Sequence, residues 1–345
     1  MVGTAIGQAA GQAWPPFVLV AGLLLIGAVV EADALFAALG ARIERISGGP
    51  IALLATLLGL EAIVTAVLNL DTAVVFLTPV ILHAARQRDC DERPFLYGAL
   101  FMANGASLLL PGSNLTNLIV LAHEPRSGAD FARAMVFPWL VVVVLTIGFM
   151  ALAYRLHHEN GTPKPLPPPL RIGVGAAATA TATGLMLAFH NAALPVLGVG
   201  VAATAVRRLR PKLDLHVLVG LFLLAVALGT LARRWHGPAS LLGHLGGIGD
   251  SVVGALASVL VNNLPAATLL SAQKPPHPLP LLIGLNVGPN LLFTGSLSAY
   301  LWYQAARATG ARPSLKHSFA LGLVLVPLTM IGALVALALV DPSAL

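Results

Sequence analysis

Charged side chains are scarce in this chain. Asp, Glu, Lys and Arg make up 10% of its 345 residues, whereas a soluble globular domain has about 25%. Apolar residues make up 57%, and the mean hydropathy is +0.86. We therefore predict an all-α polytopic membrane protein whose partner is the lipid bilayer. No nucleic-acid partner is expected, because the net charge of +6 is explained by loop arginines that set membrane orientation.

The sequence also lacks the motifs of several kinds of functional site. The one cysteine, Cys90, excludes a disulfide framework and a cysteine-cluster metal site. The ten histidines form no metal-spaced motif, and neither a Walker sequence nor an H-E-x-x-H zinc motif is present. Residues 1–16 contain no Lys or Arg, so the basic region of a cleaved signal peptide is absent. No metal, cofactor or enzymatic activity is expected, and any energy that the protein uses would have to come from an ion gradient or from a separate cytosolic ATPase subunit.

The most informative stretch is residues 104–117, N-G-A-S-L-L-L-P-G-S-N-L-T-N, inside an apolar segment of about residues 94–122. Pro111 lacks a backbone donor and Gly112 is conformationally free, so the membrane helix should break there. The freed backbone groups would cost several kcal/mol each in hydrocarbon unless the break is buried in protein or lines a wet cavity. Polar residues that can hydrogen-bond a solute follow at once, namely Ser113, Asn114, Thr116 and Asn117.

A second interrupted segment occupies residues 284–298, G-L-N-V-G-P-N-L-L-F-T-G-S-L-S, within about 279–306. One such kink is often functionless, but two at corresponding places in two halves are typical of a secondary transporter's binding site. We predict that this helix breaks at Gly288 and Pro289. The candidate solute contacts in it are Asn290, Thr294, Gly295 and Ser296.

Two further apolar runs, about residues 50–85 and 250–273, carry polar residues in the middle. The first contains N-L-D-T at 69–72, and the second contains N-N-L-P at 262–265. Each run predicts a re-entrant helical hairpin with a polar tip; the alternatives are two tightly turned full spans or one kinked helix. The tip amides can contact a solute or merely satisfy the turn, and they belong to Asn69, Asn262 and Asn263.

Charge counting favours the re-entrant arrangement. Uninterrupted helices are predicted at about 17–38, 134–154, 171–190, 194–206, 215–232 and 317–340. With both hairpins re-entrant, fifteen Lys and Arg residues fall on one face and five on the other. The positive-inside rule makes the richer face cytoplasmic, with both termini outside.

The same elements repeat. The order helix, hairpin, broken helix, helix occupies residues 17–154 and recurs with inverted topology at 215–340. Residues 155–214 form a cytoplasmic linker, stiffened by the proline-rich stretch 164–169, and two connecting helices. We therefore predict an inverted-repeat transporter with two re-entrant hairpins and two broken transmembrane helices.

Asp71 is the candidate coupling residue. A carboxylate within a membrane costs ~2.5 kcal/mol or more, so it should face a cavity or a partner. Alternatively it caps the second hairpin helix, and a capping carboxylate can still serve as a proton or cation site. The repeat-related position near Pro265 is not ionisable. Glu61 could relay protons or simply be buried.

Four motifs carry a family resemblance: N-L-D-T-A-V-V-F-L-T-P (69–79), P-G-S-N-L-T-N-L (111–118), N-N-L-P (262–265) and G-P-N-L-L-F-T-G-S-L-S-A-Y-L-W (288–302). They resemble the bacterial arsenite/antimonite efflux permeases, the ArsB family of the ion transporter superfamily. The resemblance implies an inverted-repeat fold and proton-driven export of trivalent arsenite or antimonite across the inner (cytoplasmic) membrane. It places around the site Asn69, Asp71, Ser113, Asn114, Asn263, Asn290, Gly295 and Ser296.

The chain departs from that family in two ways. A helix pair usual at the family's N-terminus is absent, which bears on scaffold packing and on whether the protein forms a homodimer. The family's Asn-Asp tip is Asn-Leu-Asp here. Bulky substitutions such as Ser113→Leu and Gly295→Val are expected to abolish transport with little loss of folded protein.

An alternative cargo is an anion or dicarboxylate, carried with sodium or protons by the same superfamily. Such symporters resemble a pattern with Ser-Asn-Thr in both repeats, and this chain matches it only in part, at 113–116 and 296–298. No arginine lies near either break to clamp a carboxylate. A membrane-embedded enzyme is a third possibility, but it lacks a nucleophile–base or metal constellation. The partners expected are therefore a small oxyacid or anion and a coupling proton or sodium ion.

Overall fold

The computed structural model describes residues 2–43, 48–123, 126–156, 173–189, 191–211, 215–235 and 237–345. These residues form α-helices, short 3-10 turns and connecting loops, and no β-strand occurs among them. The all-α prediction is confirmed. Four of the described helices are long and apolar enough to cross a membrane, as a polytopic membrane protein requires: Gly3–Ala32, Pro50–Val67, Gly128–Ala153 and Leu315–Val340.

The first half of the chain contains seven of the described helices. They are α1 (Val2–Ala32), α2 (Leu35–Ile43), α3 (Pro50–Val67), α4 (Leu70–Gln87), α5 (Arg93–Gly105), α6 (Leu115–Leu121) and α7 (Gly128–Ala153). Two connecting helices follow, α8 (Val174–Ala188) and α9 (Ala193–Val206). The proline-rich stretch 164–169 of the predicted linker lies outside the described residues.

The second half repeats the order of the first. Its helices are α10 (Leu215–Arg234), α11 (Gly237–Gly243), α12 (Gly247–Val261), α13 (Asn263–Leu270), α14 (Pro278–Val287), α15 (Leu297–Ala308) and α16 (Leu315–Val340). In each half a helical hairpin precedes a broken helix, and a long helix closes the half. Inversion of the two halves relative to the membrane stays a prediction.

The first helix differs from the sequence prediction of 17–38. It begins at Val2 and ends at Ala32, and α2 follows as a separate helix after Ala34, whose φ is +53°. The early start was missed because residues 2–16 include glycines and two prolines, which have low helix propensity, and polar glutamines that interrupt the apolar run. Tertiary contacts stabilise this part: Ala9 and Ala13 are buried, and the Gln12 side chain donates to the carbonyls of Ile119 and Ser271 at 3.0 and 2.9 Å.

Both predicted hairpins are present as helix-turn-helix pairs, and whether they are re-entrant or cross the membrane fully stays a prediction. The arms α3 and α4 are separated by Leu68 and Asn69, and the Asn69 side chain caps α4 by accepting from the Thr72 amide at 2.7 Å. The bases of these arms lie together, because Arg88 Nη2 donates to the Gly48 carbonyl at 2.5 Å. The arms α12 and α13 meet at Asn262, which has a φ of +78°.

Loops predicted on the same membrane face contact one another. Arg207 pairs with Asp33 at 2.8 Å, and Arg86 donates to the Thr309 carbonyl at 2.7 Å, so predicted cytoplasmic segments share one end of the molecule. At the other end, His123 Nε2 lies 2.9 Å from the Ser271 carbonyl oxygen. Which end faces the cytoplasm stays a prediction.

Small residues allow α1 and α9 to pack closely. A Cβ atom added at Gly22 would lie 2.8 Å from Leu197 Cα, and one at Gly200 would lie 2.6 Å from the Gly22 carbonyl oxygen. Such approach of backbones is typical of helix pairs in membranes, where van der Waals packing replaces the hydrophobic effect between helices.

Candidate functional site

Both broken helices have the same local construction. Helix α5 ends at Gly105, two 3-10 turns follow at Ala106–Leu108 and Pro111–Ser113, and α6 begins at Leu115. Helix α14 ends at Val287, and 3-10 turns at Gly288–Leu291 and Phe293–Gly295 lead to α15. The caps correspond: the Asn114 side chain accepts from the Thr116 amide at 3.0 Å, and Ser296 Oγ accepts from the Ser298 amide at 3.2 Å.

Glycines in the second break permit backbone contacts that no side chain would allow. A Cβ atom at Gly288 would lie 2.5 Å from Ala255 Cα, on the first arm of the second hairpin. A Cβ atom at Gly295 would lie 2.7 Å from both the Cα and the carbonyl oxygen of Pro289. The break is therefore packed against its own turn and against α12.

Buried amides join the two breaks. Asn104 Nδ2 donates to Asn290 Oδ1 at 3.0 Å, while Ser298 Oγ donates to Asn104 Oδ1 at 3.2 Å. Asn290 Nδ2 in turn donates to the Phe101 carbonyl at 3.0 Å. Asn104 is fully buried, so these contacts satisfy polar groups that would otherwise be costly in an apolar interior.

Asn286 is the other centre of this network. Its Oδ1 accepts from Asn114 Nδ2 at 2.6 Å and from Ser107 Oγ at 2.8 Å. Its Nδ2 donates to Asn117 Oδ1 at 2.7 Å and to the Leu282 carbonyl at 2.8 Å. One side chain of the second half thereby fixes three polar side chains of the first break.

A cavity of about 490 Å³, here called the tip cavity, lies where both breaks meet both hairpin tips. The N-terminal residues of four helices line it, namely Leu70 of α4, Leu115 of α6, Asn263 of α13 and Leu297 of α15. Helix N-termini present free N–H groups and a positive dipole end, which favour oxygen atoms and negative charge. The volume is within the range of about 300–1,000 Å³ typical of small-molecule sites.

Asp71 supplies the one charged side chain among the described residues that line the tip cavity. It lies in the first turn of α4, while the capping contact predicted as its alternative role belongs to Asn69. Among the described residues, no hydrogen bond or ion pair involves the Asp71 carboxylate. It is therefore available to a proton, a cation or a solute donor.

The structure divides the predicted site residues into two groups. Asp71 and six predicted solute contacts line the tip cavity, the six being Asn114, Thr116, Asn262, Asn263, Thr294 and Ser296. Four others do not line it: Asn69, Ser113, Asn290 and Gly295. The assignment of solute contacts stays a prediction for all of them.

The four residues outside the cavity wall have structural partners. Ser113 is fully buried, and its hydroxyl donates to the Ser107 and Leu110 carbonyls. Asn290 holds Asn104, Gly295 packs on Pro289, and Asn69 caps α4. Both Ser113 and Gly295 are packed, so bulk at these positions should disturb folding; the effect of the substitutions stays a prediction.

Predicted break residues also occupy different places. Pro111 and Gly112 line a second cavity on the other side of the first break, whereas Gly288 and Pro289 are buried in packing contacts. Sequence reasoning missed the supporting residues Asn104 and Asn286. Asn117, which the sequence placed among the residues that can hydrogen-bond a solute, is fully buried and accepts from Asn286 Nδ2 at 2.7 Å. Amide side chains in the middle of apolar segments were the available signal, because such groups need partners.

Glu61 lies in α3, away from the tip cavity lining. It is fully buried, and neither carboxyl oxygen has a hydrogen-bond partner among the described residues. The structure therefore provides no partner for the proton relay that the sequence left open.

Comparison with known protein families shows which family this chain belongs to. A family model described as "Citrate transporter" (CitMHS) matches residues 1–285, which is most of the chain. This is a related ion-transporter family, and the more specific resemblance to arsenite/antimonite permeases is not confirmed by the match. The matched region includes both hairpins and the first break. The chain belongs to the CitMHS citrate transporter family and is a secondary transporter.

Proposed function

We propose that this protein exports arsenite and antimonite across the inner membrane, as uncharged trihydroxides and in exchange for protons. The observation that carries the proposal is the tip cavity, which combines four helix N-termini and amide and hydroxyl side chains with a lone carboxylate. No Lys, Arg or His is among the described residues that line it.

The charge of the cavity favours an uncharged cargo. A polycarboxylate brings several negative charges, and proteins usually compensate such charges with arginine or lysine. Here the charged wall residue, Asp71, would repel an anion. A neutral trihydroxide meets no such repulsion, and its oxygens can accept from helix N-termini while its hydroxyls donate to Asn114, Thr294 or Asp71.

Because the cargo is uncharged, its uphill export must be coupled to the movement of an ion. An uncharged solute gains nothing from the membrane potential, so uphill export needs an inward ion. Each inward proton supplies about 2.3 kcal/mol per 100 mV, in addition to the pH gradient. Asp71 is the group in the tip cavity that can carry this proton.

A carboxylate cargo is the second candidate, and the family match favours it. The four helix N-termini can bind a carboxylate group. Because the cavity wall has no cationic side chain among its described residues, the anion would travel with compensating cations, either protons or sodium. Asp71 would then bind the accompanying cation.

Transport assays in everted membrane vesicles separate these functions. The vesicles are energised by respiration with the endogenous ATP synthase inhibited, and uptake of arsenite and of labelled citrate is measured with and without sodium. We expect arsenite accumulation that a protonophore abolishes and that sodium does not affect. The second candidate moves citrate together with cations, so energised everted vesicles would not accumulate it. Citrate accumulation in right-side-out vesicles with an inward proton or sodium gradient, without arsenite accumulation in everted vesicles, would replace the first candidate by the second.

The control for the assay is a cavity-filled variant, Thr294→Phe, at equal membrane abundance. Thr294 is exposed to the tip cavity, so a phenylalanine there should occupy solute space. Accumulation that persists in this variant would assign the transport to another protein in the vesicles. Accumulation that requires ATP when a proton gradient is present would instead indicate an ATPase partner.

A further inference from the structure

A second cavity, here called the basic vestibule, lies on the other side of the first break. Its volume is about 720 Å³, and it extends from Pro111 and Gly112 to residues 121–123 and the end of α10. All of its loops belong to the face that the charge count predicts as external. It shares no lining residue with the tip cavity.

The ionisable side chains among the described residues of the vestibule wall are basic. Arg126, Arg233 and His123 line it, and no Asp or Glu is among the described residues that do. The next described carboxylate along the chain, Asp130, pairs with Arg133 at 2.8 Å and is bonded by Ser127 Oγ at 2.7 Å. It is therefore committed to its own ion pair.

Arg233 is the most informative of these residues. It is partly buried; its Nη1 donates to the Gly229 carbonyl at 3.0 Å, and its Nη2 donates to Gln12 Oε1 at 2.5 Å. No carboxylate pairs with it among the described residues. A guanidinium has five N–H donors, so donors remain after these two contacts.

The groups around Arg233 are held in place. Gln12 Nε2 donates to the Ile119 and Ser271 carbonyls at 3.0 and 2.9 Å, so its Oε1 is directed at Arg233. His123 Nε2 lies 2.9 Å from the same Ser271 carbonyl oxygen. The wall is thus formed by α1, α10, the end of the first broken helix and the loop after α13. A prearranged wall lowers the entropic cost of binding a ligand.

From this arrangement we propose that the basic vestibule binds a small oxyanion, a carboxylate or a phosphate. A partly buried arginine without an acidic partner is poorly compensated in a low-dielectric region, and the C-terminal dipole of α10 offsets only part of its charge. An oxyanion completes the compensation and accepts the remaining guanidinium donors as charge-assisted hydrogen bonds. The vestibule is separate from the tip cavity, so this proposal does not depend on which solute the transporter carries.

The test is anion-dependent stabilisation of purified full-length protein in nanodiscs of zwitterionic lipid. Thermal unfolding is followed against citrate and inorganic phosphate, with chloride at matched ionic strength as the reference. A ligand that binds the folded state raises Tm with its concentration, which yields an apparent Kd. The variants are Arg233→Gln and Arg233→Lys. The matched control is Arg234→Gln, because the neighbouring Arg234 is exposed and is not among the vestibule residues.

We expect wild type and Arg234→Gln to respond equally to citrate or phosphate. Arg233→Gln should bind at least about tenfold more weakly, which corresponds to one charge-assisted hydrogen bond, and Arg233→Lys should recover part of the loss. If Arg233→Gln does not fold, Arg233→Lys supplies the comparison, because it keeps the charge but has fewer N–H donors. An unchanged response in Arg233→Gln or, where that variant does not fold, in Arg233→Lys would overturn the proposal, as would an equal response to chloride.

The anion could come from free solute or from a lipid headgroup. Nanodiscs that contain phosphatidylglycerol distinguish these sources. The headgroup phosphate occupies the vestibule if the anionic lipid removes the citrate response of wild type but leaves the Tm of Arg233→Gln without citrate unchanged. If citrate still raises the Tm of wild type, the free anion occupies the vestibule. Both results depend on binding alone, so failure of arsenite transport would leave them intact.

Discussion

The Asn114 side chain, which lines the tip cavity, donates from Nδ2 to Asn286 Oδ1 at 2.6 Å. Asn286 is fully buried and never reaches that cavity. The contact joins the two halves of the chain across the two breaks. The orientation of a cavity-lining side chain in the first half is therefore set by a buried side chain in the second.

The first prediction concerns Asn286. Asn286→Ala removes the partner of Asn114, Ser107 and Asn117 at once. Asn117 Oδ1 loses its partner, whereas Ser107 Oγ still donates to the Asn104 carbonyl at 2.7 Å and Asn114 Nδ2 keeps a contact with Ser107 Oγ at 3.4 Å. A buried polar group left without a partner costs about 1–3 kcal/mol, so we expect the free energy of unfolding to fall by about that amount. Transport should be lost even in variant protein that remains folded, because Asn114 is no longer oriented.

Denaturant unfolding in detergent and vesicle uptake at equal folded abundance measure the two effects. The control is Gln304→Ala, which removes an exposed amide that bonds the Tyr300 hydroxyl at 2.6 Å. It should change stability by little. Equal stability losses in the two variants would show that the buried network contributes no more than a surface contact.

The second prediction compares two neighbouring residues. Thr294→Phe adds bulk on the exposed wall of the tip cavity, so folding should be retained and transport lost. Gly295→Val forces a side chain to within 2.7 Å of Pro289 backbone atoms, so the folded yield itself should fall. Fluorescence-detected size-exclusion chromatography gives the folded fraction. A folded yield for Gly295→Val equal to that of Thr294→Phe would contradict the packing seen at this turn.

The third prediction is the topology. In a Cys90→Ser background, single cysteines at the exposed positions Arg210 and Arg312 should react with a membrane-impermeant maleimide only from the cytoplasm. One at Lys274, also exposed, should react only from outside. The reason is the excess of basic residues on the first face. Labelling of Arg312 and Lys274 from the same side would refute the arrangement. A further position, Lys164, lies outside the described residues and is expected on the cytoplasmic side.

Much of this architecture could be predicted from the sequence, because the strongest signals were local. The hairpin arms and broken segments lie within a few residues of their predicted bounds, since long apolar runs end at polar tips or at proline and glycine. The separation of α2 from α1 at Ala34 could not be predicted. No glycine or asparagine marks that left-handed position.

The site was predictable only in part. Amide and hydroxyl side chains near a break are equally suited to a solute or to the backbone of the break. The choice depends on which way each side chain points after folding: Ser113 turns to the Ser107 and Leu110 carbonyls, whereas Thr294 faces the cavity. The role of Asn286 depends on partners about 170 residues away in the chain, which local spacing cannot reveal.

The last prediction is that Asp71 couples transport to protons. The residue lines the tip cavity at the start of α4, and no side chain among the described residues pairs with its carboxylate. The repeat-related residues near Pro265 carry no ionisable group, so the second hairpin cannot replace it. A carboxylate in this place can take up a proton from the outside and release it when the cavity opens to the cytoplasm.

Asp71→Asn keeps the shape of the side chain and removes its titration. We expect the variant to lose uphill arsenite accumulation in energised vesicles while it retains exchange of labelled for unlabelled arsenite, because exchange requires binding but no net proton movement. Asp130→Asn is the matched control, since Asp130 is an exposed carboxylate paired with Arg133; it should accumulate arsenite as wild type does. Uphill accumulation by Asp71→Asn at the wild-type level would show that this carboxylate has no part in coupling. If the variant loses both exchange and uphill accumulation, Asp71 is instead a solute ligand, because a residue that acts only on the proton leaves solute binding unchanged.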